Sequence, residues 1–344
     1  MRNWFVIFST IFFFGCLNSE NIQETKPPLI NEINGNTQGT TYRIVCADKH
    51  LNCTKKEIDS ILQCFDLELS GYNQKSMLSN FNQNIPIDFE NSNYFKYCFN
   101  KSKEIYENSH GCFDPTVYPL VEAWGFFNDT AIIPNQNHIN NLLQNIGFDS
   151  NTFELFGDSI IKIKSKTKFD FNAIAQGYSV DVLADFLNYK GNHNYYIEIG
   201  GEIFVKGKNR EQSKWKIGID NPIENSNSAN REIENIIQLS DMAIATSGNY
   251  RRFYIKNGKK YSHTINPKTG YPVEHNLLSV TVIAPHCADA DAYATVFMVL
   301  GYEESIKFIN DNPHLNLEAY FLFENESKRI ERIYSKGMDN FLLN

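Results

Sequence analysis

The chain is poor in the features that would place it outside ordinary globular proteins. With only 19 Gly and 11 Pro in 344 residues it holds no collagen-like repeat, and a disordered chain would not carry 26 Phe and 18 Tyr. Basic charge is also scarce. Thirty-two Lys and Arg stand against 40 Asp and Glu, a net charge of −8, which argues against phosphate-backbone binding as the main activity, so no nucleic-acid partner is expected. An anionic ligand stays possible if a metal or a helix N-terminus supplies local positive potential. The 7 cysteines show neither CxxC nor Cys/His zinc spacing. The GxGxxG and GxxxxGK[ST] patterns are missing, so neither a Rossmann nor a P-loop site is indicated. No run of the ~20 apolar residues needed to cross a bilayer occurs.

What is present begins with an address. Met1 to Gly15 carries a basic start at Arg2 and an apolar stretch from Trp4 to Phe14, which reads as a signal-peptide core. Gly15-Cys16 resembles the lipobox of bacterial lipoproteins, making Cys16 the lipid-bearing mature N-terminus of a protein exported to the periplasmic face and anchored to the membrane. Residues 16–36, with the polar run Asn18 to Pro28, read as a tether. The other six cysteines read as buried free thiols, with a Cys46–Cys53 bridge as the alternative.

A length prior of ~150 residues per domain gives about two domains or one large one. After the tether no repeat or low-complexity block interrupts the chain, so 37–334 is expected to be one unit and 335–344 a tail. Apolar spacing predicts helices at Ile58 to Leu69, Tyr94 to Tyr106, Ile139 to Ile146, Ala175 to Leu187, Asp289 to Leu300 and Glu303 to Ile309. Strands are predicted at Thr40 to Val45, Ser159 to Lys164, within Tyr195 to Val205, and at Lys214 to Ile219 and Ser279 to Ala284. Helices and strands mix without a βαβ rhythm, which makes the fold class α+β.

Three segments carry chemistry. In Phe169-Asp170-Phe171-Asn172-Ala173-Ile174-Ala175-Gln176-Gly177, a strand is expected to deliver Asp170 into a turn of small residues that opens a helix. The unpaired N–H groups there favour a phosphate, although an ordinary capped helix packed through small residues reads the same way. In Ala288 to Thr295, Asp291 and Thr295 lie four residues apart on one helix face with alanines between them. A carboxylate and a hydroxyl are hard ligands suited to Mg²⁺; the competing reading of Asp291 is an acidic group near a helix N-terminus. Third, turn formers surround His263, placing it on a loop after an Asn257-Gly258 hairpin, where it either meets a ligand or is structural.

In this order the pieces resemble the FAD:protein FMN transferases, formerly described as thiamine-biosynthesis lipoproteins. The matches are Gln38-Gly39-Thr40-Thr41-Tyr42, Ser70-Gly71-Tyr72-Asn73 with Ser79-Asn80-Phe81-Asn82, Phe113 to Leu120, Ala123-Trp124-Gly125-Phe126, Asp170 to Asp181, Gly200-Gly201-Glu202-Ile203, Thr246 to Tyr250, Ser262 to Pro267 and Ala290-Asp291-Ala292. The resemblance implies a single large catalytic domain of mixed sheets and helices, with two packed lobes and the active site between them. It implies that FAD is the substrate, that FMN passes to a Thr or Ser hydroxyl of an acceptor protein, a subunit of a membrane redox complex, and that AMP leaves. Mg²⁺ would be held by the Ala173 carbonyl, Asp291 and Thr295. Flavin contacts fall on Gln38, Tyr72, Ala123, Trp124, Gly125, Asp170, Gln176, His263 and Ile265, although Tyr72 and Trp124 also read as core aromatics. Asp291 and His263 are the candidates for assisting deprotonation of the acceptor hydroxyl. An FAD pyrophosphatase and a non-catalytic flavin-binding lipoprotein are the alternative functions.

Overall fold

A computed structural model of the chain describes residues 31–127, 132–156, 159–223, 232–250 and 253–343. The signal segment 1–15, Cys16 and the tether as far as residue 30 lie outside the described residues. The end of the expected tether is instead strand β1 (Glu32–Thr37), paired antiparallel with β2 (Thr40–Cys46). Gln38 and Gly39 make the turn between them with φ of 51° and 73°, the left-handed pair that a two-residue hairpin requires.

Five helices follow: α1 (Lys55–Leu69), α2 (Met77–Asn82), α3 (Tyr94–Asn108), α4 (Tyr118–Ala123) and α5 (Gln136–Leu143). A Thr54/Glu57 capping box starts α1. Helix α5 begins three residues before the predicted Ile139 because the Asn135 side chain accepts the His138 N–H and caps it there. A hairpin of β3 (Phe153–Phe156) and β4 (Ser159–Lys162) leads to α6 (Ala175–Tyr189). Then come β5 (Tyr195–Ile199), β6 (Glu202–Lys206), β7 (Trp215–Asp220), β8 (Ile233–Leu239), β9 (Met242–Gly248), β10 (Phe253–Lys256), β11 (Lys259–Ser262) and β12 (Leu277–Ala284). The chain closes with α7 (Cys287–Leu300), α8 (Tyr302–Asp311), β13 (Glu318–Glu324) and β14 (Ile330–Tyr334).

Eight strands form one sheet in the order β1-β2-β5-β6-β9-β12-β13-β14, every neighbouring pair antiparallel. Strand alternation splits its side chains between two cores. Ala243, Ala245, Val280 and Val282 face the helices, and Ile244, Ile283, Tyr320 and Leu322 face the hairpin of β7 and β8. The mixture of one antiparallel sheet with helices is α+β, as the sequence suggested. Residues 336–340 are not a loose tail: Met338 is fully buried and Leu342 bridges to Ile237, so the segment seals the second core. All six described cysteines are free, so no Cys46–Cys53 bridge forms; Cys64 is exposed and the other five are buried.

Candidate functional site

Helix α7 sits at the centre of the molecule, its Ala288, Ala290, Ala292 and Ala294 all fully buried. It starts two residues earlier than predicted because Asp181 on α6 caps it from outside, accepting the N–H of Cys287 (2.8 Å) and of Ala288 (2.9 Å). The two helices touch at Gly177. A Cβ there would run into the backbone of Cys287 and stand 2.8 Å from the Asp291 Cβ, so glycine permits the approach. The same closeness lets the Gly177 N–H donate to Asp291 Oδ2 at 3.0 Å.

A cleft of about 710 Å³ opens where α6 and α7 meet α1, the Cys112–Val117 segment and the loop after β11. Gln38, Tyr72, Asp170, Ala173, Gln176, His263, Ile265, Asp291 and Thr295 all line it, so the sequence-predicted metal ligands and most of the predicted flavin contacts converge on one space. Asp291 forms part of the floor and is 7% exposed. Burial raises its carboxyl to about 7, the Gly177 N–H opposes that rise and the charge of Asp181 adds to it. Burial also pushes up Asp181, and pushes Glu202 well above the usual carboxylate range, helped by the charge on Asp291. Glu202 Oε2 is buried with no hydrogen-bond partner among the described residues. Asp291 on the floor therefore sits near other buried carboxylates with a single donor of its own among the described residues.

Asp170 does not arrive on a strand as predicted. The extended stretch before it is clamped by Asn82, whose Nδ2 donates to the Phe169 carbonyl (2.8 Å) and whose Oδ1 accepts the Phe169 N–H (2.7 Å). The Asp170 N–H then donates to Pro115 O at 2.6 Å, and its carboxylate accepts the Asn172 N–H at 2.8 Å, forming an Asx turn before α6. Gln176 is tied back by its Nε2, which donates to Ile199 O at 3.1 Å over the side-chain-free Gly200. Gln38 holds its left-handed conformation beside Asp66, whose half-buried carboxylate accepts the Gln38 N–H and is raised by burial. Gln38 Nε2 is buried without a partner among the described residues.

The opposite wall is aromatic. His263 leaves β11 on a loop fixed by the Thr264 hydroxyl, which donates to Asn249 Oδ1 (2.9 Å), and by the bridge between Ile265 and Pro272. Ala123, Trp124 and Gly125 do not line the cleft. Trp124 is 1% exposed behind the wall, its indole N–H donating to Gly270 O at 2.8 Å, so its core reading describes its position. Val121, Phe126 and Phe127 form the surface in its place. Tyr72 lines the mouth and is 69% exposed, so its core reading is wrong.

Sequence reasoning gave no site role to Asp66, Asp114 and Ser247, which also line the cleft, although Asp114 and Ser247 fall inside the matched motifs. Asp114 is buried, raised by that burial to about 7, and accepts the Thr116 N–H (2.8 Å) and hydroxyl (2.6 Å). Its sequence context, an Asp before a Pro-Thr turn, signals a cap rather than a site. Among the described residues no three His, Cys, Asp or Glu side chains gather to hold a metal. Asp291, Thr295 one turn along α7 and Ala173 all line the cleft, and a carboxylate, a hydroxyl and a backbone carbonyl are hard oxygen ligands of the kind a divalent cation takes.

Comparison with known proteins bears on this arrangement. The chain is 34% identical over 320 residues to the FAD:protein FMN transferase of Vibrio cholerae, covering 91% of this chain and 92% of that one. Its identity to the Escherichia coli K12 protein of the same name is 32% over 305 residues, covering 86% of each. The structure of the flavin transferase ApbE from Vibrio cholerae superposes with a TM-score of 0.78 at 32% identity, covering 90% of this chain and 98% of that chain. The apo flavinyl transferase ApbE of Pseudomonas stutzeri gives 0.77 at 29% identity, covering 90% and 95%. A model of the ApbE family matches residues 38–321, a span that begins at the turn residue Gln38 and takes in every element that lines the cleft, and the chain belongs to the ApbE family.

Proposed function

We propose that the chain is a Mg²⁺-dependent transferase that cleaves FAD, joins FMN through a phosphoester bond to a Thr or Ser hydroxyl of an acceptor protein, and releases AMP. The observation that carries this reading is Asp291: a buried carboxylate on the cleft floor whose one hydrogen-bond donor among the described residues is the Gly177 N–H, next to an acidic Asp181. A buried anion so poorly compensated is costly, and a cation offsets that cost. Asp291, Thr295 and the Ala173 carbonyl would hold Mg²⁺, whose bound charge would offset the negative charge of the FAD pyrophosphate.

The remaining work falls to the chain's own groups. The acceptor oxygen bonds to the phosphorus nearer the riboflavin, the bond from that phosphorus to the oxygen of AMP breaks, and the hydroxyl proton must go elsewhere. With Asp291 committed to the ion, His263 receives that proton at a ring nitrogen. Gln38, Asp170, Gln176 and Ile265 hold the flavin and its ribityl chain, and Tyr72, Phe126 and Phe127 offer aromatic faces that exclude water. Positioning matters more than basicity here, because charge on the transferring phosphoryl group dominates the barrier.

The address segment supports an exported enzyme anchored through a lipid on Cys16, whose acceptor is a subunit of a membrane redox complex. Incubation with FAD, Mg²⁺ and a candidate acceptor domain, followed by a denaturing gel, tests the activity. Covalent flavin fluorescence on the acceptor is the expected result. Free FMN and AMP with no labelled acceptor would replace the transferase with a pyrophosphatase, and intact bound FAD would leave only a flavin-binding protein.

A further inference from the structure

Four lysines, Lys162, Lys164, Lys166 and Lys168, alternate along one short stretch that contains no acidic residue, in a chain whose net charge is −8. The stretch begins in β4, which ends at Lys162, passes through a turn closed by the Thr167 N–H donating to the Lys164 carbonyl at 3.0 Å, and ends at Lys168, directly before the clamped Phe169 and the cleft residue Asp170. Its two ends are pinned. Lys162 lies with its Nζ 4.3 Å from the centre of the Phe81 ring and donates to Asn84 Oδ1 at 3.1 Å. Lys168 reaches Glu122 at 3.4 Å and stands 4.9 Å from the Tyr118 ring. Lys164 and Lys166, between them, make no ion pair among the described residues. Interleaved with these cations, Ile161 and Ile163 are 49% and 53% exposed, and Ile85, next to Asn84, is 47% exposed. Strand β4 pairs with β3 alone, so among the described residues its other edge keeps unpaired N–H and C=O groups.

The open edge of β4, the exposed Ile161 and Ile163 at its end and the lysine-bearing turn that follows match an extended polypeptide that carries acidic and apolar residues. We infer that residues 161–168 dock an acidic, extended segment of the acceptor protein and guide its hydroxyl-bearing residue into the cleft past Lys168 and Asp170. This rests on the transferase reading, which is what requires a polypeptide partner. Charge complementarity selects the occupant, because this chain of net charge −8 presents here four lysines with no acidic residue between them. The clamp at Phe169 gives the docked segment a fixed register relative to the cleft, so contacts along the strip translate into placement of the acceptor hydroxyl.

Two fluorescein-labelled synthetic peptides test the inference with the full chain. One holds a single Thr among alternating Asp and Leu, and the other replaces each Asp by Asn. Wild type should bind the Asp peptide at least tenfold more tightly at low salt, and the difference should vanish near 0.5 M salt. The Lys164→Glu/Lys166→Glu variant should lose that difference, and Lys164→Arg/Lys166→Arg should keep it. FAD affinity, measured separately by equilibrium dialysis, should be the same in all three proteins. Equal binding of the two peptides by wild type, or an unchanged preference in the Glu variant, would overturn the docking strip. Binding to phosphatidylglycerol vesicles that the Glu variant loses while its peptide binding is unchanged would give the strip to a lipid surface instead. Failure of wild type to bind FAD would overturn the transferase reading and leave the peptide result to stand by itself.

Discussion

The floor and the wall of the cleft solve opposite problems. In the layer that backs the wall, polar atoms of the aromatic side chains have found partners: the Trp124 indole donates to Gly270 O, the Tyr254 hydroxyl to Ile132 O at 2.7 Å and the Tyr271 hydroxyl to Gln136 Oε1 at 2.5 Å. On the floor, Asp291 has one donor among the described residues, and the buried Glu202, which lies outside the cleft lining, has none at Oε2. A region whose polar groups are satisfied contributes stability; one left short of donors is held in place by the rest of the fold and stores a preference for a ligand that supplies what is missing. The wall should therefore respond to mutation mainly in stability and the floor mainly in activity.

The sharpest way to break this contrast is Asp291→Asn. Asn keeps an acceptor for the Gly177 N–H but cannot carry charge, so flavin transfer at 1 mM Mg²⁺ should fall at least ~10³-fold, about 4 kcal/mol of barrier. Stability should move the other way. Burial raises the folded-state carboxyl to about 7 from its ordinary value of 3.8, so the folded state binds a proton more tightly than the unfolded state does. The resulting stability is fully present below about pH 4 and is lost as pH rises through about 7. In EDTA at pH 8 the variant should melt above wild type, at pH 4 the two should converge, and Mg²⁺ should raise the wild-type melting temperature alone. A variant that melts below wild type in EDTA at pH 8 would mean that the floor is as well satisfied as the wall.

Gly177→Ala should come next. The added methyl meets the Cys287 backbone and the Asp291 Cβ, neither of which is the free end of a flexible side chain. A destabilisation of about 3 kcal/mol in urea unfolding is expected, together with loss of transfer as α6 and α7 separate. Unchanged stability would show that the two helices have slack, and that the Gly177 N–H does not fix Asp291.

How far these regions could be read from sequence follows from the range of the interactions that build them. The spacing of Asp291 and Thr295 is local, four residues on one helix face, and it was legible, as was the loop setting of His263 among Asn, Pro and Gly. The helices α1, α3 and α6 announce themselves by apolar period. Asp181 was not legible as a cap, because its partners Cys287 and Ala288 lie more than 100 residues away and become neighbours only through Gly177. The order of the eight-stranded sheet was equally hidden, since β6 pairs with β9 across a hairpin that belongs to another core. Trp124 misled for a related reason: a Trp beside Gly reads alike whether the ring faces a ligand or lies one layer behind, and the Gly270 carbonyl that decides it is far along the chain.

The smallest effect expected is at that indole, and it bears on the wall's half of the contrast. Trp124→Phe keeps an aromatic ring against Tyr261 and Tyr271, whose centroids each lie 5.6 Å away, and removes only the N–H. The Gly270 carbonyl then loses its Trp124 donor in a buried setting, which costs about 1–2 kcal/mol. Gly270 shapes the turn between Asn266 and Tyr271, and that turn supports the Ile265–Pro272 bridge beside His263. The loss should therefore appear in chemical denaturation, with the KM for FAD rising less than about threefold and kcat nearly unchanged. If kcat falls by a factor of ten or more while stability holds, Trp124 acts on the bound flavin itself, and the wall belongs with the floor as part of the reacting surface.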